Sequence, residues 1–317
     1  MLSPSQSDSY PAVAILLAAY NGAEWLDSQL ESILAQEGVY VTLFVSVDPS
    51  TDKTAELIAG WATRDPRIIV LPQHEAQGGA TANFFRLILD VDIDAFDYVG
   101  FADQDDIWLK DKLARAVDNM AEHNAAGYSS NALAFWDDGR TTLIHKAQPQ
   151  KRWDFLFECA GPGSTFVLSN ALISSIKDFL RHNPAKLSDI WLYDWFCYAY
   201  ARGHAYTWFI DEYAGVQYRQ HKVNCVGANQ GIKAFMRRAK LVIDGSALRQ
   251  ALFLARLAGV DKDPFVQRLV GMRRRDMLYL AGNAWHCRRR MRDVGLFFCA
   301  SVLMAFRGID SIDETDH

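Results

Sequence analysis

The first 125 residues alternate short β-rich runs with amphipathic helical stretches, which restricts the chain to βαβ units on a mainly parallel sheet. Val13 to Ala18 reads as a strand, Glu24 to Gln36 as a helix, Val41 to Val47 as a strand and Thr51 to Ala62 as a helix. Arg67 to Leu71 adds a third short strand. Gln77-Gly78-Gly79-Ala80 then turns into a helix carrying Asn83, Phe84, Phe85, Leu87 and Ile88, and Tyr98 to Ala102 makes the next strand. Beyond residue 125 the pattern is mixed, with a strand expected at Ser164 to Leu168, a helix from Asn170 and another through Trp191 to Ala201. From Gly231 onward the chain reads as helical throughout.

Charge divides the molecule more sharply than its net value of -5 suggests. Lys233 to Arg307 holds 16 Lys and Arg against 5 Asp and Glu, so the preceding part is strongly acidic. No nucleic-acid recognition motif accompanies the basic stretch, and no nucleic-acid partner is expected. Five cysteines, Cys159, Cys197, Cys225, Cys287 and Cys299, show no CxxC spacing and are odd in number, which points to a reducing cytosol and away from a zinc site. Residues 1–11 read as a polar, frayed tail without the features of a signal peptide. The apolar run Val294 to Phe306 spans 13 residues, short of the roughly 20 that a bilayer crossing needs.

Chemistry gathers where the strands end. Val99-Gly-Phe-Ala-Asp103-Gln104-Asp105-Asp106-Ile-Trp108 sets three carboxylates directly after an apolar strand. Such acids repel one another and resist desolvation, so a divalent cation is the simplest partner among them. Open α/β sheets bind ligands at the carboxyl ends of their strands. Ala18-Ala19-Tyr20-Asn21-Gly22 and Val47-Asp48-Pro49-Ser50-Thr51-Asp52 end the first two strands on that same edge. An aromatic ring and an isolated acid there suit a nucleobase. A plain turn and a helix cap at Ser50 or Thr51 fit equally well.

In combination, Ala-Tyr-Asn, Asp-x-Ser-x-Asp-x-Thr and Asp-x-Asp-Asp resemble the family 2 glycosyltransferases of the glycosyltransferase A fold, over roughly residues 12–225. The Asp-Gln-Asp-Asp-Ile-Trp version is most similar to bacterial rhamnosyltransferases of surface polysaccharide synthesis. The resemblance implies an α/β fold with a mostly parallel sheet flanked by helices. It divides the chain into a catalytic domain at 12–230, with a nucleotide half (12–108) and an acceptor half (109–230), and a basic helical extension at 231–317. It implies an inverting, metal-dependent transfer from a dTDP- or UDP-sugar to a glycan or polyprenyl-linked acceptor, with rhamnose as the sugar and Mg or Mn as the metal. Residue by residue, it puts Ala18, Tyr20, Asn21, Glu24, Asp48, Gly79, Asn83, Asp103, Gln104 and Arg219 around the donor, and Asp103, Asp105 and His221 at the metal. Asp106 fits an N-cap or a supporting hydrogen bond as well as a ligand. The chain departs from the commonest family pattern at Pro49 and at Gln77-Gly78-Gly79.

A sugar hydroxyl needs a base to take its proton as attack begins. Asp194, embedded in Trp191-Leu-Tyr-Asp-Trp195-Phe, is the expected base by the same resemblance, with Asp189 as the fallback; an acid favoured by a helix dipole is the plainer reading. Trp108, Gly163, Ser164 and Trp195 are expected along the acceptor path. Arg288-Arg-Arg-Met-Arg292 followed by an apolar stretch suits either peripheral contact with the inner face of the cytoplasmic membrane or packing on the catalytic domain or a second copy. Two rivals remain: a catalytically inactive nucleotide-sugar or polysaccharide-binding scaffold, and a sugar-phosphate nucleotidyltransferase. The latter is expected to carry a cation in its first loop, which Ala18 to Gly22 lacks.

Overall fold

The computed structural model describes residues 10–73, 75–76, 78–221 and 244–308. The sequence features at Gln77, Lys222 to Cys225, Lys233, Arg237-Arg238 and most of the N-terminal tail therefore lie outside the described residues.

The first strand, β1 (Ala12–Ala19), is buried almost throughout because helices cover both faces of the sheet. It pairs in parallel with β2 (Tyr40–Val47) on one side and β4 (Tyr98–Asp103) on the other. Between them run α1 (Leu26–Leu34), α2 (Thr54–Arg64), the edge strand β3 (Ile68–Val70) and α3 (Ala80–Asp90). The expected alternation holds, with shifted ends. Helix α2 begins three residues later than expected because the Asp52 carboxylate accepts the Thr54 N–H at 3.0 Å, the capping role expected of Ser50 or Thr51.

The second half adds β5 (Ile107–Trp108), α4 (Lys112–Glu122), β6 (Gly127–Ser130), β7 (Ala132–Phe135), β8 (Thr141–Ile144), the short α5 (Asp154–Phe157), β9 (Val167–Ser169), α6 (Asn170–His182), α7 (Tyr193–Gly203), β10 (Trp208–Asp211) and β11 (Val216–Arg219). Seven strands form one sheet in the order β10-β6-β9-β4-β1-β2-β3, and β5-β11-β7-β8 form a smaller one. Only β9 runs antiparallel to its neighbours β4 and β6 in the large sheet. The strand expected at Ser164 to Leu168 is thus corrected: Gly163–Thr165 is a 3-10 turn, and pairing starts at Val167.

From Ser246 the described chain is helical: α8 (Ser246–Leu257), α9 (Pro264–Val270), α10 (Arg274–Gly282), α11 (Ala284–Cys287) and α12 (Met291–Arg307). These helices share one hydrophobic cluster with α3, β4 and α7, in which Leu254, Phe265 and Met277 join Phe84, Phe101 and Phe196. Arg289 is buried and Arg288 partly so. The Arg288 guanidinium donates to the Phe157 carbonyl at 2.7 Å, and Arg289, 5% exposed, lies 3.6 Å from Asp154 and 3.5 Å from Glu158. Of the alternatives for this basic run, packing on the preceding part of the chain describes those two residues, because two buried carboxylates require counter-charge.

Candidate active site

Strand register brings the separate motifs together. Ala18 lies opposite Asp103 and Ala19 opposite Val47, so Tyr20, Asp48 and the aspartate cluster leave the sheet side by side. The loops that follow β1 and β2 are then laced together. Asn21, with φ at 47°, donates its backbone N–H to Ser50 Oγ at 3.1 Å, and its side-chain Oδ1 accepts the Thr51 N–H at 2.8 Å. Gln104 accepts the Tyr20 N–H at 2.7 Å and returns a bond to the Tyr20 carbonyl at 2.9 Å. Gly22 has no room for a Cβ, since the Gln104 amide would lie 2.3 Å from it. The side chains of Asn21 and Gln104 therefore shape the pocket instead of projecting into it. Tyr20 stays 55% exposed and Glu24 is also exposed, while Asp48 is buried at 7%.

Two expectations, those for Asn83 and Trp108, change. Asn83 is 2% exposed with both ends of its amide on Ser46, which makes it a brace between α3 and β2 and removes it from the donor surface. Trp108 is 3% exposed and covered by Lys112, whose Nζ lies 3.4 Å from the ring centroid; pairing of β5 with β11 turns it into the core, away from any acceptor. Trp195 is half-buried, and its indole N–H is committed to the Phe155 carbonyl at 2.8 Å. Ser164 is fully buried. Gly79 lies exposed at the start of α3, with φ at 142°.

The acids converge from distant parts of the chain. Burial, together with the charges of Asp105 and Asp194, pushes the Asp103 carboxyl above its usual range. Burial and the charges of Asp103 and Asp105 do the same to Asp106. Asp106 accepts the Arg219 N–H at 3.3 Å through Oδ1, while its buried Oδ2 has no hydrogen-bond partner among the described residues. Arg219 also donates Nε–H to the Asp105 carbonyl at 3.0 Å. His221 Nε2 is 2.6 Å from Asp105 Oδ2, and its ring stacks on Trp25 with centroids 4.0 Å apart. The imidazole nitrogen nearest the acids is thus engaged by Asp105.

Asp194 begins α7. Burial raises its carboxyl to about 6, against the opposing pull of the Trp195 N–H at 2.6 Å, the Lys146 charge and the Gly163 N–H. Tyr218 opens the Tyr218-Arg219-Gln220-His221 segment, which resembles a family closing loop, and has no role assigned from sequence; burial and then the charges of Asp103, Asp106, Asp105 and Asp194 drive it far above the usual phenol range. Sequence reasoning missed Tyr193, whose buried hydroxyl has no partner among the described residues. The advance signal was the position of each beside a predicted acid or cation. Asp189 lies instead on an open cleft of about 430 Å³ with Ser188, Trp191, Arg249 and Gln250.

Among the described residues, no three His, Cys, Asp or Glu side chains form a ready metal cage. Mg²⁺ and Mn²⁺ do not need one beside a diphosphate, since one or two carboxylates, substrate oxygens and water complete the shell. Asp103 and Asp105, mutually repelling at a strand end, fit that shared arrangement.

A family model described as "Glycosyl transferase family 2" matches residues 14–178. The chain is 41% identical over 278 residues to the dTDP-rhamnosyl transferase RfbG of Shigella flexneri, covering 87% of this chain and 96% of that protein. It is 31% identical over 166 residues to the UDP-Glc:alpha-D-GlcNAc-diphosphoundecaprenol beta-1,3-glucosyltransferase WfaP of Escherichia coli, covering 52% of this chain and 63% of that one. The S. aureus TarS 1-349 structure in complex with UDP-GlcNAc aligns with a TM-score of 0.52 at 14% identity, over 93% of this chain and 89% of the other.

Proposed function

This chain belongs to glycosyl transferase family 2 and is a glycosyltransferase, and on that premise we propose that it is an inverting, divalent-metal-dependent rhamnosyltransferase of surface polysaccharide synthesis. The extent of its likeness to a dTDP-rhamnosyl transferase supports dTDP-rhamnose as donor. A relative acting on a diphosphoundecaprenol-linked sugar supports a glycan or polyprenyl-linked acceptor. A cytoplasmic setting agrees with the free thiols of Cys159, Cys197, Cys287 and Cys299.

The observation that carries the proposal is the strand register that sets Tyr20, Asp48 and the Asp103 cluster side by side, with Asp194 near enough for its charge to help raise the Asp103 carboxyl. It puts one partly protonatable acid beside a diphosphate-type site. Tyr20 stacks the base, Asp48 accepts an N–H from it, and Asp103 with Asp105 hold the cation and diphosphate. When bound, the cation offsets charge growing on the leaving oxygen. His221 orients Asp105, and Arg219 adds positive charge on the diphosphate side. Asp194 takes the proton from the acceptor hydroxyl as that oxygen attacks the anomeric carbon from the face opposite the diphosphate. One displacement inverts the centre. The cleft beside Trp191 offers an exposed indole to a more distant acceptor sugar.

The test is donor turnover with Mg²⁺ or Mn²⁺ across dTDP-, UDP- and GDP-sugars, for wild type and Asp194→Asn. Turnover or slow hydrolysis of dTDP-rhamnose alone supports the donor assignment, and preference for another donor sinks it. Full transfer by Asp194→Asn removes Asp194 as the base.

A further inference from the structure

The outward face of α12 is as apolar as the face it buries. At 3.6 residues per turn, Phe298, Met291, Phe306, Leu303 and Leu296 follow one another around about half of the helix circumference. Their exposures are 48, 65, 76, 47 and 46%. Gly295 and Cys299 fill the gaps, and the charged groups on this arc, Arg292 and Arg307, are both cations. The opposite arc carries the buried Ser301, Met304 and Ala305, and Asp293 there is 4.0 Å from Arg288. Isolated exposed apolar residues are ordinary, whereas a contiguous stripe of this kind marks a contact surface.

We propose that this face docks on an anionic lipid surface, with α12 lying in the plane of the interface. Its 17 residues reach only about 26 Å, short of a hydrocarbon core of about 30 Å. No helix among the described residues is long and apolar enough to cross a membrane. Charge selects the occupant. The exposed arc has no acid, and Arg290 and Arg273 to Arg275 add exposed cations on the neighbouring segments. Anionic headgroups complement that pattern. A second copy does not, because the charged groups on this arc are both cations, so an antiparallel two-fold pairing of the helix sets Arg292 of each copy against Arg307 of the other. The inference rests on this helix surface and is independent of the donor assignment.

The full chain is tested by co-sedimentation with vesicles of phosphatidylethanolamine and phosphatidylglycerol, and with phosphatidylcholine alone, without donor or acceptor. Wild type is expected to pellet with the phosphatidylglycerol vesicles and much less with phosphatidylcholine. The triple variant Phe298→Ser, Leu303→Ser, Phe306→Ser is expected to lose at least ~tenfold in partitioning while keeping a cooperative melting transition, because each side chain is about half exposed or more. Arg292→Gln and Arg307→Gln each lose about fivefold on anionic vesicles alone. Absence of wild-type binding, or undiminished binding by the triple variant, overturns the proposal. So does a wild-type dimer in sedimentation equilibrium that the triple variant converts to monomer without any change in vesicle binding.

Discussion

The Tyr193 hydroxyl lies so close over Gly163 that a Cβ at residue 163 would come within 2.0 Å of it. That Cβ would also lie 3.2 Å from the Cβ of Asp194, and the Gly163 N–H helps to hold the Asp194 carboxylate. Gly163→Ala must therefore displace the ring or the turn. We expect it to cost about 1–3 kcal/mol of stability and at least ~tenfold in kcat. Urea unfolding and steady-state kinetics read the two effects separately.

Asp194→Asn removes the proposed base but keeps an oxygen for the Trp195 N–H. A loss of about 10²–10⁴ in kcat is expected, with KM for the donor little changed. In wild type the carboxylate is needed ionised, so activity should rise with pH through about 6.

The same shift has a thermodynamic consequence of fixed sign. A carboxyl raised in the folded state binds more protons there than in the unfolded chain, so this group's contribution to stability falls as pH rises from its ordinary value of 3.8 to about 6. Asp194→Asn should therefore melt above wild type at pH 7.5, with the gap closing towards pH 4. Differential scanning calorimetry at both pH values checks the prediction, and a gap widening on acidification contradicts it.

Removing the cation tests Asp103 and Asp105. With dTDP present, Mn²⁺ should raise the melting temperature beyond the sum of the two ligands added singly. Chelation should abolish the excess. Asp103→Asn or Asp105→Asn should show no such synergy while still folding, because each relieves repulsion among the acids.

Arg289→Met leaves Glu158 and one side of Asp154 without their cation, although Arg202 still donates to Asp154 at 3.1 Å. A destabilisation of about 3–5 kcal/mol is expected. Arg290→Gln, one residue on and exposed, should change unfolding by less than about 0.5 kcal/mol.

The donor half was legible because its signals are local. Strands β1 and β4 are largely apolar runs, β2 alternates with Thr42 and Ser46 among its apolar residues, and each ends in the motif that it delivers. Strand β6, Gly-Tyr-Ser-Ser, carries no such pattern, yet all four residues are buried between β10 and β9. Trp108 and Asn83 had the right chemistry for ligands in sequence. Lys112 and Ser46, respectively, took those groups into the core.

The sequence by itself determined the parallel donor half and the order of its aspartates, since strand periodicity and strand-end motifs depend on neighbouring residues alone. Only the tertiary structure decided that Asp194 faces Asp103 from 91 positions away and that burial lifts its carboxyl to about 6. It also divided a single arginine run, burying Arg289 against two acids and leaving Arg290 and Arg292 in solvent. Burial and charge proximity are set by elements remote along the chain, and the desolvation that tunes each group follows from that packing.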